Sequence, residues 1–196
     1  MDTTFSLDQA LRATGEILTR RGQTAAIVVV GGTALNLLQV VERTTRDVDV
    51  IATGILQPEG PPTDIQPPEP LPKALTDAIA TVARDLGLPA DWLNTTVAGQ
   101  WQTGLPPGFA SRITWNRHAG LWVGLAGRLD LIYLKLYAAA DETGPASRHF
   151  ADLVALRPTA DELAGARAWI SQTQDLSPSM ATTLERVSAH VLAADR

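Results

Sequence analysis

Residues 25–35 read AAIVVVGGTAL, and this stretch decides the fold. Its first six residues are apolar and rich in β-branched side chains, which predicts a buried strand over 25–30. The glycine pair allows a sharp turn close to a ligand, and a helix is predicted from Thr33 onward. The N–H groups at the start of such a helix favour phosphate, with the Thr33 hydroxyl at the cap position. A glycine pair alone is more often a simple turn, so the motif needs support from elsewhere.

That support comes from residues 46–51, which read RDVDVI and predict a second strand. Alternation places Asp47 and Asp49 on one face, while Val48 and Val50 pack inward. Two carboxylates so close repel each other unless a cation lies beside them, and Mg²⁺ is the usual cation where phosphates also bind. An isolated pair is typical of a solvated strand end. Here it follows the glycine turn on the predicted neighbouring strand, so the joint pattern predicts a phosphate and metal site.

A lone cation in an apolar helix is the third candidate feature. Lys135 lies within residues 130–140, DLIYLKLYAAA, and is the only cation between Arg128 and Arg148. Such an ammonium group must reach water or an anion, and Asp152 in the next predicted helix is a candidate partner. Two interpretations stay open: an ion pair that joins two helices, or a lysine that faces a phosphate.

The remaining pattern predicts an α/β (α+β) fold with a small mixed sheet flanked by helices and a helical C-terminal part. We expect a core over residues 1–126 and a helical part over 127–196 that completes the active site. The proline-rich segment 58–72 is predicted to be an exposed loop or lid margin. The other predicted elements are a hairpin of strands 111–115 and 121–125, and helices over 6–21, 73–86, 128–141, 147–156, 159–171 and 178–193.

Composition narrows the functional classes. The chain of 196 residues has no cysteine, which excludes disulfides, thiolate zinc sites and cysteine nucleophiles and suits a reducing cytoplasm. Its formal net charge of −5 counts against general nucleic-acid binding without excluding an RNA substrate. No leader or membrane span is expected. The histidines His118, His149 and His190 show no ligand spacing, so no zinc site is predicted.

The combined motifs resemble a known signature. Gly31-Gly32-Thr33-Ala34-Leu35 followed by Arg43-x-Thr45-x-Asp47-Val48-Asp49 is similar to that of the polymerase-β-like nucleotidyltransferase superfamily. The closer likeness is to its small bacterial branch that includes the AbiE-type toxins of type IV toxin–antitoxin systems. Lys135-Leu136-Tyr137-Ala138 matches the K-x-x-A motif of that branch, and Asp152-Leu153 matches its following aspartate. Larger members use a third carboxylate on a later strand, and neither predicted hairpin strand offers one.

The resemblance implies a nucleotidyltransferase fold and a magnesium-dependent transfer of a nucleoside monophosphate from a nucleoside triphosphate to a hydroxyl. Gly31, Gly32 and Thr33 would hold the triphosphate. Asp47 and Asp49 would bind Mg²⁺.

It also implies roles for four further residues. Arg43 and Thr45 would support the site, Lys135 would contact phosphate or the acceptor, and Asp152 would act as an acid/base or anchor Lys135.

Three functional hypotheses stay open at this point. The first is a nucleotidyltransferase acting on tRNA or a protein, as a toxin with a cognate antitoxin. The second is an antibiotic-type enzyme for a small molecule, with Asp64, Glu69 and Asp91 contributing to an acidic acceptor pocket. The third is a non-catalytic module of the same fold that binds a nucleotide or a partner.

Overall fold

A computed structural model describes residues 6–42, 45–141, 147–173 and 176–194. Helix α1 (Leu7–Arg20) begins after Ser6, whose hydroxyl accepts from the Gln9 backbone N–H while the Gln9 side chain accepts from the Ser6 N–H. This reciprocal capping satisfies backbone donors that a helix start leaves without partners. The predicted helix over 6–21 is therefore confirmed.

A six-stranded mixed sheet forms the centre of the molecule. β1 (Ala25–Val30) is its middle strand and is buried along its whole length, as its apolar sequence predicted. It pairs antiparallel with β2 (Val48–Ile55) and parallel with β6 (Leu121–Leu125). The order along the main path is β3 (Asp64–Gln66), β2, β1, β6 and β5 (Thr114–His118). β4 (Leu93–Asn94) pairs parallel with the start of β2.

The β1–β2 ladder contains an irregularity that lies close to the candidate site. Val28 pairs with Ala52, but the next residue, Val29, pairs with Val50, so Ile51 has no opposite residue on β1. An extra residue of this kind is a β-bulge. The Ile51 carbonyl accepts a hydrogen bond from the Trp101 indole at 2.5 Å, which satisfies a backbone acceptor at the bulge.

The hairpin exists, but its first strand differs from the predicted range 111–115. β5 spans Thr114–His118, and its pairing with β6 closes at His118 and Leu121, leaving Ala119 and Gly120 as the turn. Residues Phe109–Arg112 form a 3-10 helix instead. Arg112 fixes this helix because its guanidinium group donates to the Asp130 carboxylate and to the Pro107 carbonyl.

The helices otherwise follow the sequence pattern. The predicted helix over 73–86 is exact and ends at Gly87, which has a φ of 65°. Helix α2 begins at Gly31 with Val30 at the cap and no side-chain capping bond, so the expectation that Thr33 occupies the cap position is wrong. The helices after α1 are α2 (Gly31–Leu37), α3 (Lys73–Leu86), α4 (Gln100–Thr103), α5 (Arg128–Asp141), α6 (Arg148–Ala155), α7 (Ala160–Thr173) and α8 (Pro178–Ala194).

The proline-rich segment 58–72 is mostly exposed, as predicted, but it contains one short strand. β3 (Asp64–Gln66) lies at the edge of the sheet beside β2, the position in which proline-rich chain can still pair. The Thr95 hydroxyl donates to the Glu69 carboxylate at 2.7 Å, which ties the segment to the chain after β4.

The buried apolar residues form one cluster that includes both sheet and C-terminal helices, from Val28 and Ile51 to Leu136, Leu153 and Val187. The division into residues 1–126 and 127–196 stays a prediction. Within the described ranges, no helix combines the length and apolar character that a membrane span requires.

Candidate functional site

A polar cavity of about 570 Å³ opens where the end of β1 meets the start of β2. Val30 pairs with Asp49 in the ladder, so the glycine turn and the carboxylate pair lie at the same end of the sheet, as predicted. Charged and hydrogen-bonding groups dominate the wall. The residues that line this polar cavity are Gly32, Thr45, Arg46, Asp47, Asp49, Lys135, Arg148 and His149.

The two aspartates reach the polar cavity by strand alternation. Val48 and Val50 are fully buried on the opposite side of β2, whereas Asp49 is half-buried and Asp47, just before the strand, is exposed. Asp47 and Asp49 therefore share a face, as the sequence predicted.

Gly31 is required at its position by two observations. Its φ of +70° is a backbone conformation that residues with a side chain rarely adopt. A Cβ atom there would lie 2.3 Å from the Asp49 Oδ2 atom, far inside contact distance. The glycine turn thus allows the backbone of α2 to approach the carboxylate.

Thr33 holds the segment before β2 in place through hydrogen bonds. Its side chain is buried, and its hydroxyl donates to the Asp47 carbonyl at 2.6 Å and lies 3.2 Å from the Thr45 hydroxyl. The Asn36 amide donates to the same Thr45 oxygen at 3.3 Å. These contacts hold the chain before β2 against α2, so Thr33 positions Asp47 and Thr45 and is not on the wall of the polar cavity.

Lys135 and Asp152, which the sequence offered as candidate partners, form a buried ion pair. The Lys135 Nζ lies 2.7 Å from the Asp152 Oδ2, with side-chain exposures of 7 % and 3 %. The Lys135 Nζ also lies 3.3 Å from the His149 Nδ1. The ammonium group is thereby oriented at the cavity wall by two residues of α6.

The pKa of Asp49 is set by its burial and by the charged groups around it. Burial, followed by the nearby Asp47 carboxylate, raises the pKa of Asp49 above its ordinary value. Lys135, a hydrogen bond from Asn94 and His149 act in the opposite direction. A cation beside Asp47 and Asp49 would relieve the repulsion between them.

Asn94 is a site residue that the sequence did not reveal. The register of β4 places it opposite Asp49, and its side chain hydrogen-bonds to the Asp49 carboxylate. The Asn94 Oδ1 accepts from the Thr96 N–H at 3.0 Å and also from the Thr96 hydroxyl. Both contacts orient the amide so that its NH₂ group faces Asp49.

A second, apolar cavity of about 530 Å³ adjoins the polar one. Three residues, Asp49, Lys135 and His149, line both cavities. The remainder of its wall is largely apolar. The residues that line this apolar cavity are Val30, Gly31, Asp49, Ile51, Thr96, Val97, Gly99, Gln100, Leu131, Leu134, Lys135, Tyr137, Ala138, Asp141 and His149.

The donor set fits a magnesium ion that shares its ligands with a nucleotide. Among the described residues, no group of three or more histidines and carboxylates is placed to hold a metal. Two carboxylates face the polar cavity, and Mg²⁺ commonly binds through one or two carboxylates and completes its shell with phosphate oxygens and water. Asp47 and Asp49 would therefore hold the ion together with the substrate.

The structure brings together most of the predicted site residues. Gly32, Thr45, Asp47, Asp49 and Lys135 line the polar cavity, with Asp152 directly behind Lys135 and Gly31 beneath Asp49. Arg43 lies outside the described residues, so its predicted supporting role stays a prediction.

Sequence reasoning missed Arg46, Arg148 and His149 on the polar wall. Arg46 adjoins Asp47 in the sequence, so its proximity to that candidate was an available signal.

Comparison with known proteins gives one finding. A family model described as "Nucleotidyltransferase of unknown function (DUF6036)" matches residues 4–59, the segment that contains the glycine turn and both aspartates. No curated protein and no solved structure matches the chain. The narrower likeness to the AbiE-type branch stays a prediction. The matched segment and the mixed sheet with its helical C-terminal part together support a relationship to nucleotidyltransferases.

Proposed function

We propose that this protein is a magnesium-dependent nucleotidyltransferase that moves a nucleoside monophosphate from a nucleoside triphosphate to a hydroxyl acceptor. The observation that carries the proposal is the composition of the polar cavity. Asp47 and Asp49 share its wall with three cations, Arg46, Lys135 and Arg148. Carboxylates that bind Mg²⁺ beside cations that bind phosphate are the chemistry that a metal–nucleotide complex needs.

The two arginines suit the triphosphate. Arg46 adjoins the carboxylates and Arg148 begins α6, so their guanidinium groups approach the polar cavity from different elements. Each presents a planar fork of donors that matches phosphate oxygens. Lys135 differs because Asp152 and His149 restrain its ammonium group. A restrained charge costs little reorganisation when negative charge develops on the transferred phosphoryl group.

The reaction that this wall supports is mainly positional. A hydroxyl oxygen attacks the α-phosphorus, pyrophosphate leaves, and Lys135 and the arginines stabilise the developing charge. Bound Mg²⁺ would supply further charge neutralisation and orient the phosphates. Thr33 and Asn94 keep Asp47 and Asp49 in position through the contacts described above.

A narrower proposal follows from the AbiE-type resemblance: a toxin that modifies tRNA or a protein and is neutralised by a cognate antitoxin. The Lys135–Asp152 ion pair supports this narrower proposal, since the resemblance implies that Asp152 can anchor Lys135. Asp64, Glu69 and Asp91, the acidic residues named for the antibiotic-type alternative, line neither of these two cavities. A non-catalytic module is less well supported, because two carboxylates and three cations share one cavity wall.

Calorimetry of nucleotide binding tests the proposal. Each of the four nucleoside triphosphates is titrated into the protein with Mg²⁺ and with a chelator. We expect binding of at least one nucleotide to weaken by about tenfold or more in chelator, because the carboxylates need the cation and the cation needs phosphate oxygens. Asp47→Asn and Asp49→Asn should remove the magnesium dependence. Asp77→Asn, an exposed carboxylate on α3, is the matched control.

Equal affinity with Mg²⁺ and chelator, or magnesium dependence that survives Asp49→Asn, would contradict the metal role. Absence of any nucleotide binding would remove the proposal altogether.

A further inference from the structure

The two cavities meet at the residues on which the chemistry would depend. Asp49, Lys135 and His149 line both, whereas Arg46 and Arg148 line the polar cavity alone. Each volume is in the range of about 300–1,000 Å³ that is typical of small-molecule sites. The shared residues therefore divide a larger site into a cationic half and an apolar half.

The geometry of phosphoryl transfer places the leaving group and the acceptor in different cavities. In an in-line displacement, the attacking oxygen and the leaving group lie on opposite sides of the phosphorus. Arg46 and Arg148 favour the leaving pyrophosphate in the polar cavity. With the α-phosphorus beside Asp49 and Lys135, the acceptor oxygen must come from the other side, where the apolar cavity lies.

The wall of the apolar cavity restricts which acceptors fit. Val97, Leu131 and Leu134 supply aliphatic surface, and Tyr137 supplies an aromatic ring. Transfer of a ring or chain with little polar surface from water to such a wall is favourable in free energy. The acceptor should therefore carry its hydroxyl on an apolar body.

The charge of that wall disfavours polyanions. Of the described residues that line the apolar cavity, Asp49 and Asp141 are carboxylates, and Lys135 is the one with a permanent positive charge. That lysine is already paired with Asp152. Single-stranded nucleic acid normally binds in a positively charged groove that follows its phosphates. A neutral or cationic acceptor suits this surface better.

We propose that the acceptor is a neutral or positively charged hydroxyl compound with an apolar body, held in the apolar cavity; this rests on the proposed nucleotidyltransferase function. Its oxygen forms a bond to the α-phosphorus, the bond from that phosphorus to the bridging oxygen of pyrophosphate breaks, and the hydroxyl proton passes to water. The same chemistry occurs in a free small molecule and in a tyrosine side chain of a protein segment. RNA as the acceptor is the competing outcome.

Four defined probes separate these possibilities in a transfer assay with nucleotides labelled at the α-phosphate. Tyramine and 4-hydroxyphenylacetate have similar size and opposite charge. A capped neutral pentapeptide with one tyrosine represents the protein source, and oligouridylate represents RNA. We expect label on tyramine or the peptide at a rate about tenfold or more above that on 4-hydroxyphenylacetate and oligouridylate. The better of the two accepted probes identifies the source.

Two variants test the location. Leu134→Trp fills the apolar cavity, and Leu192→Trp is the matched control, because Leu192 is also half-buried but lies on α8 away from both cavities. Leu134→Trp should lower transfer to the accepted probe by about tenfold and change nucleotide affinity by less than about twofold. Val97→Lys, on a half-buried position of a short 3-10 helix, should shift the tyramine preference toward 4-hydroxyphenylacetate. That charge-dependent readout does not depend on Leu134→Trp folding normally.

Several results would overturn the inference. Faster labelling of oligouridylate or 4-hydroxyphenylacetate would show that the acceptor is an anion. Strong loss of nucleotide affinity in Leu134→Trp, with Leu192→Trp unaffected, would place the nucleoside in the apolar cavity instead. Magnesium-dependent nucleotide binding without label on any probe would overturn the acceptor class alone. Absence of nucleotide binding would overturn the proposed function as well.

Discussion

Helix α5 carries two buried charged residues, and their surroundings differ. Asp130 is fully buried and accepts two hydrogen bonds from Arg112, whose side chain is 30 % exposed. Lys135 pairs with Asp152, and both are almost fully buried. The Arg112–Asp130 pair joins the segment before β5 to α5 and lines neither cavity, whereas Lys135 lines both.

The difference teaches that burial of an ion pair does not by itself identify a functional site. Burial raises the pKa of Asp130 and also that of Asp49, with desolvation the largest cause in each case. Arg112 opposes the shift of Asp130 through complete hydrogen bonding, as a structural pair should. Asp49 is raised further by a second carboxylate on an open cavity wall. Access to a cavity, together with a second carboxylate on the same wall, separates the two settings.

The largest expected effect belongs to Lys135. Lys135→Met should lower nucleotide transfer by about 10²–10³-fold, because a restrained positive charge at the reacting phosphate is lost. It should also lower stability by leaving Asp152 buried without its ammonium partner. The double variant Lys135→Met/Asp152→Leu should recover most of the stability and none of the activity. Denaturant melts and the labelled-nucleotide assay measure the two properties separately.

Recovery of activity in that double variant would mean that the pair only joins two helices. The two ion pairs of α5 would then have the same role.

Arg112→Met should have the largest effect on stability alone. It leaves the Asp130 carboxylate buried without a charged partner, at a cost of about 3 kcal/mol, the low end of the range for buried pairs because Arg112 is partly exposed. In a chain of this size the melting temperature should fall by roughly 6–12 °C. Nucleotide transfer per folded molecule should stay unchanged. A selective loss of transfer at constant melting temperature would contradict the structural assignment.

A matched pair of glycines sharpens the comparison at a smaller scale. Gly31→Ala places a Cβ against Asp49 in a left-handed conformation, whereas Gly127→Ala places one 3.0 Å from the Asp130 Oδ2. Gly31→Ala should cost about 1–2 kcal/mol in strain and also reduce transfer, because Asp49 must move. Gly127→Ala should also cost about 1–2 kcal/mol, because the added Cβ lies 3.1 Å from the Arg112 carbonyl oxygen, but it should spare transfer. Thermal melts and transfer rates of the two variants test this difference: only Gly31→Ala should lower the transfer rate.

The smallest expected effect is a pH dependence at Asp49 in the metal-free protein. Folding raises the pKa of Asp49 above its ordinary value of 3.8. The folded state therefore loses stability, relative to the unfolded state, as the pH rises from about 3.8 through the pKa of the folded state. Asp49→Asn removes that cost. With chelator present, the variant should melt at the same temperature as wild type below pH 4 and higher at neutral pH, by roughly 2–4 °C at most. A variant that melts lower at neutral pH would indicate a structural role for the carboxylate.

Local patterns predicted most of the fold. The strand at 25–30 and the helices at 73–86 and 128–141 were exact, because apolar runs and glycine stops are local signals. The observed strand β5 (Thr114–His118) lies three residues after the predicted range 111–115, because its polar residues Asn116 and Arg117 are typical of a turn. In an edge strand such residues can face solvent, and Arg117 stacks over the Trp122 ring at 5.4 Å.

The candidate site was predicted where its residues cluster in sequence and missed where they do not. Asp47 and Asp49 follow the glycine turn closely in the sequence, and Lys135 is identified by its apolar neighbours. Asn94 lies on a two-residue strand whose parallel pairing with β2 is a non-local contact. His149 gains its place only because α6 packs against α5, so no spacing rule could locate it.

The bulge at Ile51 has a consequence for how this chain can vary in length. Side chains of a strand alternate with a period of two, so a shift of one residue exchanges the two faces of everything on one side of it. Deleting Ile51 would give β1 and β2 an unbroken ladder in which Val50 and Asp49 keep their partners, and it would remove the carbonyl that accepts from Trp101. Deleting Val50, with the pairing beyond Ala52 kept, would instead bring Asp49 opposite Val29, so Asp49 would turn toward the core and the fully buried Val48 would turn outward. One-residue deletions should therefore be tolerated on the far side of Thr53 and selected against between Asp47 and Val50.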